Sequence, residues 1–251
     1  MGDAEGYVNR STLRRPKGVL LDYGGTLVEE AGFDPRAGNV WLLGQAAYVP
    51  PGLTMDTVLE RARRVAHEVA DRRDRFGIEA PWASLTRLIH DYFGTRFDVP
   101  MAELERGFWN AAVTTLPIPG AREALAALAS ADIPIGVLSN ASFSADVIRH
   151  DLAKHGLADH LAFVMVTADY VVRKPSALVL EVAAARLGVA ATDIWVVGDR
   201  LDTDVAGAKA AGMPAVWLRP PNAAPSTLPD LTVRDWPEFR VCLERAGVGA
   251  A

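Results

Sequence analysis

The stretch KGVLLDYGGTL, residues 17–27, decides the fold. GVLL is a short uninterrupted apolar run that stops at an acid, Asp22, and reads as a buried strand. YGGTL follows as a glycine turn, whose paired glycines allow tight backbone geometry and close approach of a ligand. A buried strand that ends in an acid and a glycine turn is the opening of a sheet with a binding edge.

Downstream of Leu116 the chain alternates helix and strand. Helices are expected at 120–130, 142–155, 176–187, 203–211 and 236–246, and strands at 133–138, 162–166, 193–198 and 214–218. Short strands joined by helices imply a doubly wound parallel sheet with helices on both faces, an α/β fold. Ligands in such sheets bind beyond the carboxyl ends of the strands. Residues 29–114 read differently, as an all-helical block without a convincing strand. Its helices are expected at about 34–48, 54–75 with Thr54 as N-cap and Asp56 in the first turn, 81–93 and 101–113. The expected organisation is a polar N-terminal tail at 1–16, an α/β core at 17–28 and 115–251, and a helical insert at 29–114.

The chain has 251 residues, enough for one large domain or a core with an insert. Hydrophobic residues are 50% and charged residues 23%, as in ordinary globular proteins. A net charge of −5 argues against a nucleic-acid or anionic-membrane partner, both of which need a positive field, but not against a local basic pocket. The single cysteine, Cys242, has no internal disulfide partner and fits a reducing compartment. The N-terminus lacks an apolar run, and Gly6 stands where a myristoylation signal has Ser or Thr. No stretch approaches the roughly 18 apolar residues of a membrane span. The expected location is the cytoplasm. Only four of the 26 basic residues are lysines (Lys17, Lys154, Lys174 and Lys209), so few candidates exist for any role that needs an amine.

The polar residues fall at the strand ends. Asp22 ends the first strand, Ser139 and Asn140 end the second, and Asp199 ends the fourth, with Asp202 and Asp204 close behind. Lys174 precedes Pro175 just before helix 176–187. One such Asp is usually a cap or turn residue; carboxylates, a hydroxyl, an amide and a lysine meeting at one mouth are not explained by stability. The chemistry they suggest is phosphoryl transfer. Carboxylates hold a hard divalent cation such as Mg²⁺, lysine and hydrogen-bond donors cradle phosphate oxygens, and a carboxylate can act as nucleophile.

The ordered set DYGGTL (22–27), LSN (138–140), RKP (173–175) and GDRLDTD (198–204) resembles the haloacid dehalogenase superfamily, and its phosphatase-like members most of all. The resemblance implies a Rossmann-like core with the helical insert as a class-one cap. It implies a hydrolase that takes a small phosphorylated metabolite and uses Mg²⁺. Asp22 would be the nucleophile. Lys174 would neutralise charge on the nucleophile and the phosphate. Ser139, Asn140, Gly25 and Thr26 would serve the phosphate site and the turn around it. Asp22, the Gly24 backbone carbonyl, Asp199 and Asp204 would hold the metal. Asp202 is read either as an accessory to that motif or as a helix N-cap.

The pattern breaks at Gly24, where such phosphatases carry a second Asp that protonates the leaving oxygen and later activates water. General acid–base catalysis is worth about 10²–10⁴-fold, so its loss should slow turnover. Three readings follow: a phosphatase with another proton shuttle or none, a phosphate-binding or regulatory protein with little turnover, or a branch with different chemistry. A phosphonatase needs a cap lysine, and residues 28–118 contain none. A dehalogenase would have no use for Asp199 and Asp204. The first reading is preferred. Its candidate shuttles are Glu29 and Glu30 just past the turn, and His67, His90 and Asp91 in the insert, each of which also reads as an ordinary surface residue.

Ten of the 19 aromatic residues fall in 28–118, and read first as core filling of a small helical unit. The arginines at 61, 63, 64, 72, 73 and 75 alternate with acids and read as a solvated helix face with i,i+4 pairs.

Overall fold

The structure, a computed structural model, describes residues 13–248, so most of the tail expected at 1–16 lies outside the described residues. Strand β1 (Gly18–Leu21) is wholly buried. It sits at the centre of a six-stranded parallel sheet between β4 (Ile135–Ser139) and β6 (Ile194–Gly198). The register pairs Leu21 with Val137 on one side and with Val197 on the other. β5 (Leu161–Val166) flanks β4; β7 (Ala215–Leu218) and β8 (Leu231–Val233) extend the other edge.

Burial on both faces follows from strand alternation. Val19, Leu21, Val137 and Val197 face one core with α5 (Ala121–Ser130), α6 (Ala145–Lys154) and α9 (Trp236–Arg245). Leu20, Leu138 and Val196 face the other with α7 (Ala177–Leu187) and α8 (Ala206–Ala210). Helix α5 buries a 3.6-period stripe of Ala121, Ala124, Leu125 and Leu128. The expected doubly wound α/β architecture is therefore present.

Between β1 and β4 the chain forms α1 (Pro35–Gly44), α2 (Met55–Phe76), α3 (Trp82–Phe93) and α4 (Met101–Ala112). Asp34 caps α1 by accepting from the Arg36 and Ala37 amides. Thr54 caps α2 by accepting from the Thr57 amide at 3.2 Å, as its sequence position suggested. Both ends of this insert correct the expectation of no strand. β2 (Val28–Phe33) and β3 (Val113–Pro117) form an antiparallel ribbon with an irregularity between Glu30 and Gly32. β2 reads VEEAGF and is exposed after Val28, so neither alternation nor β-propensity marks it; pairing with a partner some 85 residues away makes it a strand. The three-residue β8 is too short for its pattern to stand out from the flanking loop.

The insert is clasped to the core at two places. Phe143, in the loop after β4, packs among Trp82, Phe108 and Trp109 of α3 and α4, with ring centroids 4.7 to 6.3 Å apart. The Trp82 amide donates to the Ser142 carbonyl at 2.8 Å and the Ser144 amide to Glu105 at 2.9 Å. The second clasp is the α2–α3 loop, where buried Glu79 accepts from Ser142 Oγ, Thr167 Oγ1 and Arg173. Backbone bonds from Glu79 to Val171 and from Arg173 to Gly77 flank it. Among the described residues no helix is long and apolar enough to cross a membrane.

Candidate active site

The carboxyl ends of β1, β4 and β6 open into a cleft of about 580 Å³. Asp22 leaves β1, Ser139 ends β4, Asp199 leaves β6, and Lys174 enters from the loop before α7; all four line the cleft. This is the point where the chain moves from β1 to opposite sides of the sheet, where such folds bind ligands.

Lys174 is the hub. Its Nζ lies 2.7 Å from Asp22 Oδ1, 2.7 Å from Asp204 Oδ1 and 2.8 Å from the Leu138 carbonyl. Asn140 fixes its backbone reciprocally: Asn140 Nδ2 donates to the Lys174 carbonyl at 3.0 Å, and the Lys174 amide donates to Asn140 Oδ1 at 2.9 Å. The Asn140 side chain, which also lines the cleft, thus positions the lysine, a task its sequence neighbourhood did not reveal.

Two glycines bring the carboxylates together. A Cβ on Gly25, whose φ is +74°, would lie 2.5 Å from Asp199 Oδ2. A Cβ on Gly198 would lie 2.3 Å from Asp204 Oδ2, so only glycine lets Asp204 fold back over the end of β6. Asp204 sits in a π-helical turn, Leu201–Val205, and also accepts from the Arg200 amide at 3.1 Å.

One carboxylate oxygen from each of Asp22, Asp199 and Asp204 lies within 4.8 Å of the others. One ammonium among three carboxylates leaves excess negative charge. Burial foremost, with Asp204 and Asp199 adding to it and Lys174 opposing it, pushes Asp22 up from 3.8 to about 7. Burial and then Asp204 push Asp199 up to about 6. For Lys174 burial pulls downward, but the Asp204 and Asp22 carboxylates outweigh it and hold the amine protonated. Asp199 Oδ1 is buried without a hydrogen-bond partner. An orphaned oxygen in an over-acidic all-oxygen cluster fits a hard divalent cation, which could be held by these three residues.

Other sequence candidates fall elsewhere. Thr26 is fully buried, and its carbonyl accepts from Trp236 Nε1, so it shapes the turn from behind the cleft. Asp202 forms a two-bond pair with Arg200 at 3.0 and 2.6 Å and lies inside the π-helical turn, whose N-cap position is Arg200. Of the proposed shuttles, Glu29 and Glu30 line the cleft. His67 is exposed on α2. His90 is buried inside the insert against Phe97 and lines, with Asp91, a separate cavity there. Of the insert's aromatics only Trp109 reaches the cleft, joined by Phe143 from the core, and none of the α2 arginines does. Arg72 pairs with Glu68 at 2.8 Å along that helix, as its spacing suggested.

Sequence reading missed Asp151. It is buried on α6 and accepts from Tyr23 Oη at 2.7 Å, Trp109 Nε1 at 3.1 Å and Thr115 Oγ1 at 2.9 Å, tying the β1 turn, the insert and the ribbon together. Its signal was an acid on the inward stripe of Val147, Ile148 and Leu152.

A parallel sheet with an acidic cluster and a lysine at its switch point is suited to phosphoryl-transfer chemistry. The model of the haloacid dehalogenase-like hydrolases matches residues 16–212, and the chain belongs to that family. It is 31% identical over 236 residues to a phosphoglycolate phosphatase of Chromobacterium violaceum, covering 90% of this chain and 96% of that one. It is 37% identical over 94 residues to a phosphoserine phosphatase of Thermus thermophilus, a match spanning 36% of this chain and only 37% of that protein. A solved haloacid dehalogenase-family (HAD) phosphatase from Thermococcus onnurineus superposes with a TM-score of 0.61 at 23% identity, over 90% of this chain and 97% of that one, a likeness of fold.

Proposed function

We propose that the protein is a Mg²⁺-dependent phosphomonoesterase that acts on a small phosphorylated metabolite through an aspartyl-phosphate on Asp22. The observation that carries this reading is Lys174 Nζ held 2.7 Å from both Asp22 and Asp204 inside a three-carboxylate cluster. Phosphatase-named relatives support it, and so does the acidic motif, which a dehalogenase would not need.

The Asp22 carboxylate attacks phosphorus and forms the aspartyl-phosphate. Lys174 holds that carboxylate in place and offsets charge on the transferring phosphoryl group. Ser139 and Gly25, which line the cleft, would meet phosphate oxygens. Asp22, Asp199, Asp204 and the Gly24 carbonyl would hold the cation, which supplies charge neutralisation of the phosphoryl oxygens when bound. Residues 29–114 act as the cap and enclose the leaving group, with Glu29, Glu30 and Trp109 as its contribution to the wall.

Purified protein should hydrolyse p-nitrophenyl phosphate with Mg²⁺ and lose that activity in EDTA, and Asp22→Asn should remove it while still unfolding in a single cooperative transition. Equal rates with and without Mg²⁺, or turnover by Asp22→Asn, would overturn the reading.

A further inference from the structure

Gly24 stands where the phosphatase pattern has a proton-transferring Asp, and nothing in its own conformation calls for glycine. Its φ is not among the positive ones, unlike that of Gly25. Chain neighbours aside, a Cβ on Gly24 would meet a single atom at 4.0 Å, and that atom is Glu30 Oε1. The open space beside Gly24 is therefore faced by another carboxylate.

The ribbon explains how it gets there. The turn closes with the Gly25 amide donating to the Val28 carbonyl at 2.8 Å, and a bridge pairs Gly24 with Val28. Side chains alternate along β2, so Glu30 projects on the side of buried Val28, over the β1 turn. Glu30 pairs with Thr115 of β3 immediately before the ribbon's irregularity, a feature that commonly re-aims side chains beside active sites. Glu30 and Asp22 line the same cleft, and among the described residues no hydrogen bond ties the Glu30 carboxylate elsewhere.

We infer that Glu30 is the catalytic acid and base of this site, supplying from the ribbon the carboxyl group absent at position 24. The inference rests on the phosphatase reading above. In the first step the Asp22 oxygen bonds to phosphorus, the bond from phosphorus to the leaving oxygen breaks with its electron pair on that oxygen, and the Glu30 carboxyl gives it a proton. In the second, the Glu30 carboxylate takes a proton from water as the water oxygen bonds to phosphorus. The bond to Asp22 breaks with its electron pair returned to the Asp22 carboxylate. Glu30 ends as it began, and the sum is ester plus water to alcohol plus phosphate.

The test compares phenyl phosphate, whose leaving group needs a proton, with p-nitrophenyl phosphate, whose leaving group departs as a stable anion. Glu30→Gln is nearly isosteric at an exposed position and should fold as the wild type does. It should lower kcat/KM about 10²–10⁴-fold for phenyl phosphate and less than about tenfold for p-nitrophenyl phosphate. Adding Gly24→Asp to Glu30→Gln should restore most of the lost phenyl phosphate activity, since the space beside position 24 admits the side chain. An equal loss on both substrates, no loss on either, or no rescue would overturn the Glu30 assignment. Failure of the phosphatase reading looks different: the wild type would be inactive on both substrates, or Asp22→Asn would remain active.

Discussion

At Asp22 the electrostatics carry a cost that chemistry recovers. A carboxylate with 11% of its side chain exposed, beside two more, is disfavoured as an anion even with Lys174 at 2.7 Å. Its pKa in the folded protein, about 7, lies above the ordinary 3.8, so the folded state binds its proton more tightly than the unfolded chain does. The stability this gives is full below about pH 4 and lost as pH rises through about 7. Asparagine at position 22 stays neutral at every pH. Asp22→Asn in EDTA should therefore be more stable than wild type by about 1–3 kcal/mol at pH 8. The gap should narrow steadily toward pH 5, and urea melts at both pH values measure it. Wild type being the more stable at pH 8 would mean that the Lys174 ion pair outweighs burial. Mg²⁺ should raise the wild-type midpoint more than that of Asp22→Asn, because only the wild type offers the third carboxylate.

Among the elements, α6 places an acid where its apolar stripe calls for a hydrophobe. Asp151 satisfies three buried donors contributed by three other segments, the β1 turn, α4 and β3. Asp151→Ala strands the Tyr23 hydroxyl and the Trp109 indole N–H, each a buried donor whose desolvation goes uncompensated. The variant should lose about 2–4 kcal/mol in urea unfolding, with Asp151→Asn losing less because it keeps an acceptor. A loss within about 0.5 kcal/mol for Asp151→Ala would show that the network does not hold the turn. The same helix shows what a sequence conveys and what it conceals. Strands β1, β4, β5, β6 and β7 were legible because each is an apolar run bounded by turn residues, and the motif residues were legible because they stand at those strand ends. The ribbon strands were not legible, since VEEAGF is a strand only through its pairing with 113–117. Asp151, Glu79 and the position of Glu30 against Gly24 were invisible for a related reason. Each is defined by partners that other elements bring to it, and local pattern holds no record of them.

Across the whole molecule, the insert and the core meet at the same two loops that build the cleft. The end of β4 carries Ser139 and the loop after it carries Asn140 and then Phe143 into the insert's aromatic cluster, while the loop before α7 carries Lys174 and, one residue earlier, Arg173. Glu79 joins both loops to the insert, accepting from Ser142 on one and from Arg173 on the other, with 1% of its side chain exposed. The position of the insert and the position of Lys174 are thereby linked through one buried acid and the backbone bonds beside it. Glu79→Ala should loosen segments 77–81 and 170–173 together, since the bonds from Glu79 to Val171 and from Arg173 to Gly77 run between them. Hydrogen exchange should show faster amides in both segments while those of β1 and β6 keep their protection. KM for p-nitrophenyl phosphate should rise about tenfold, a cost of about 1.4 kcal/mol in binding, because the wall of the cleft is no longer held against the substrate. Exchange that accelerates equally throughout the sheet would instead make Glu79 a determinant of global stability. An unchanged KM with both segments loosened would separate the clasp from catalysis.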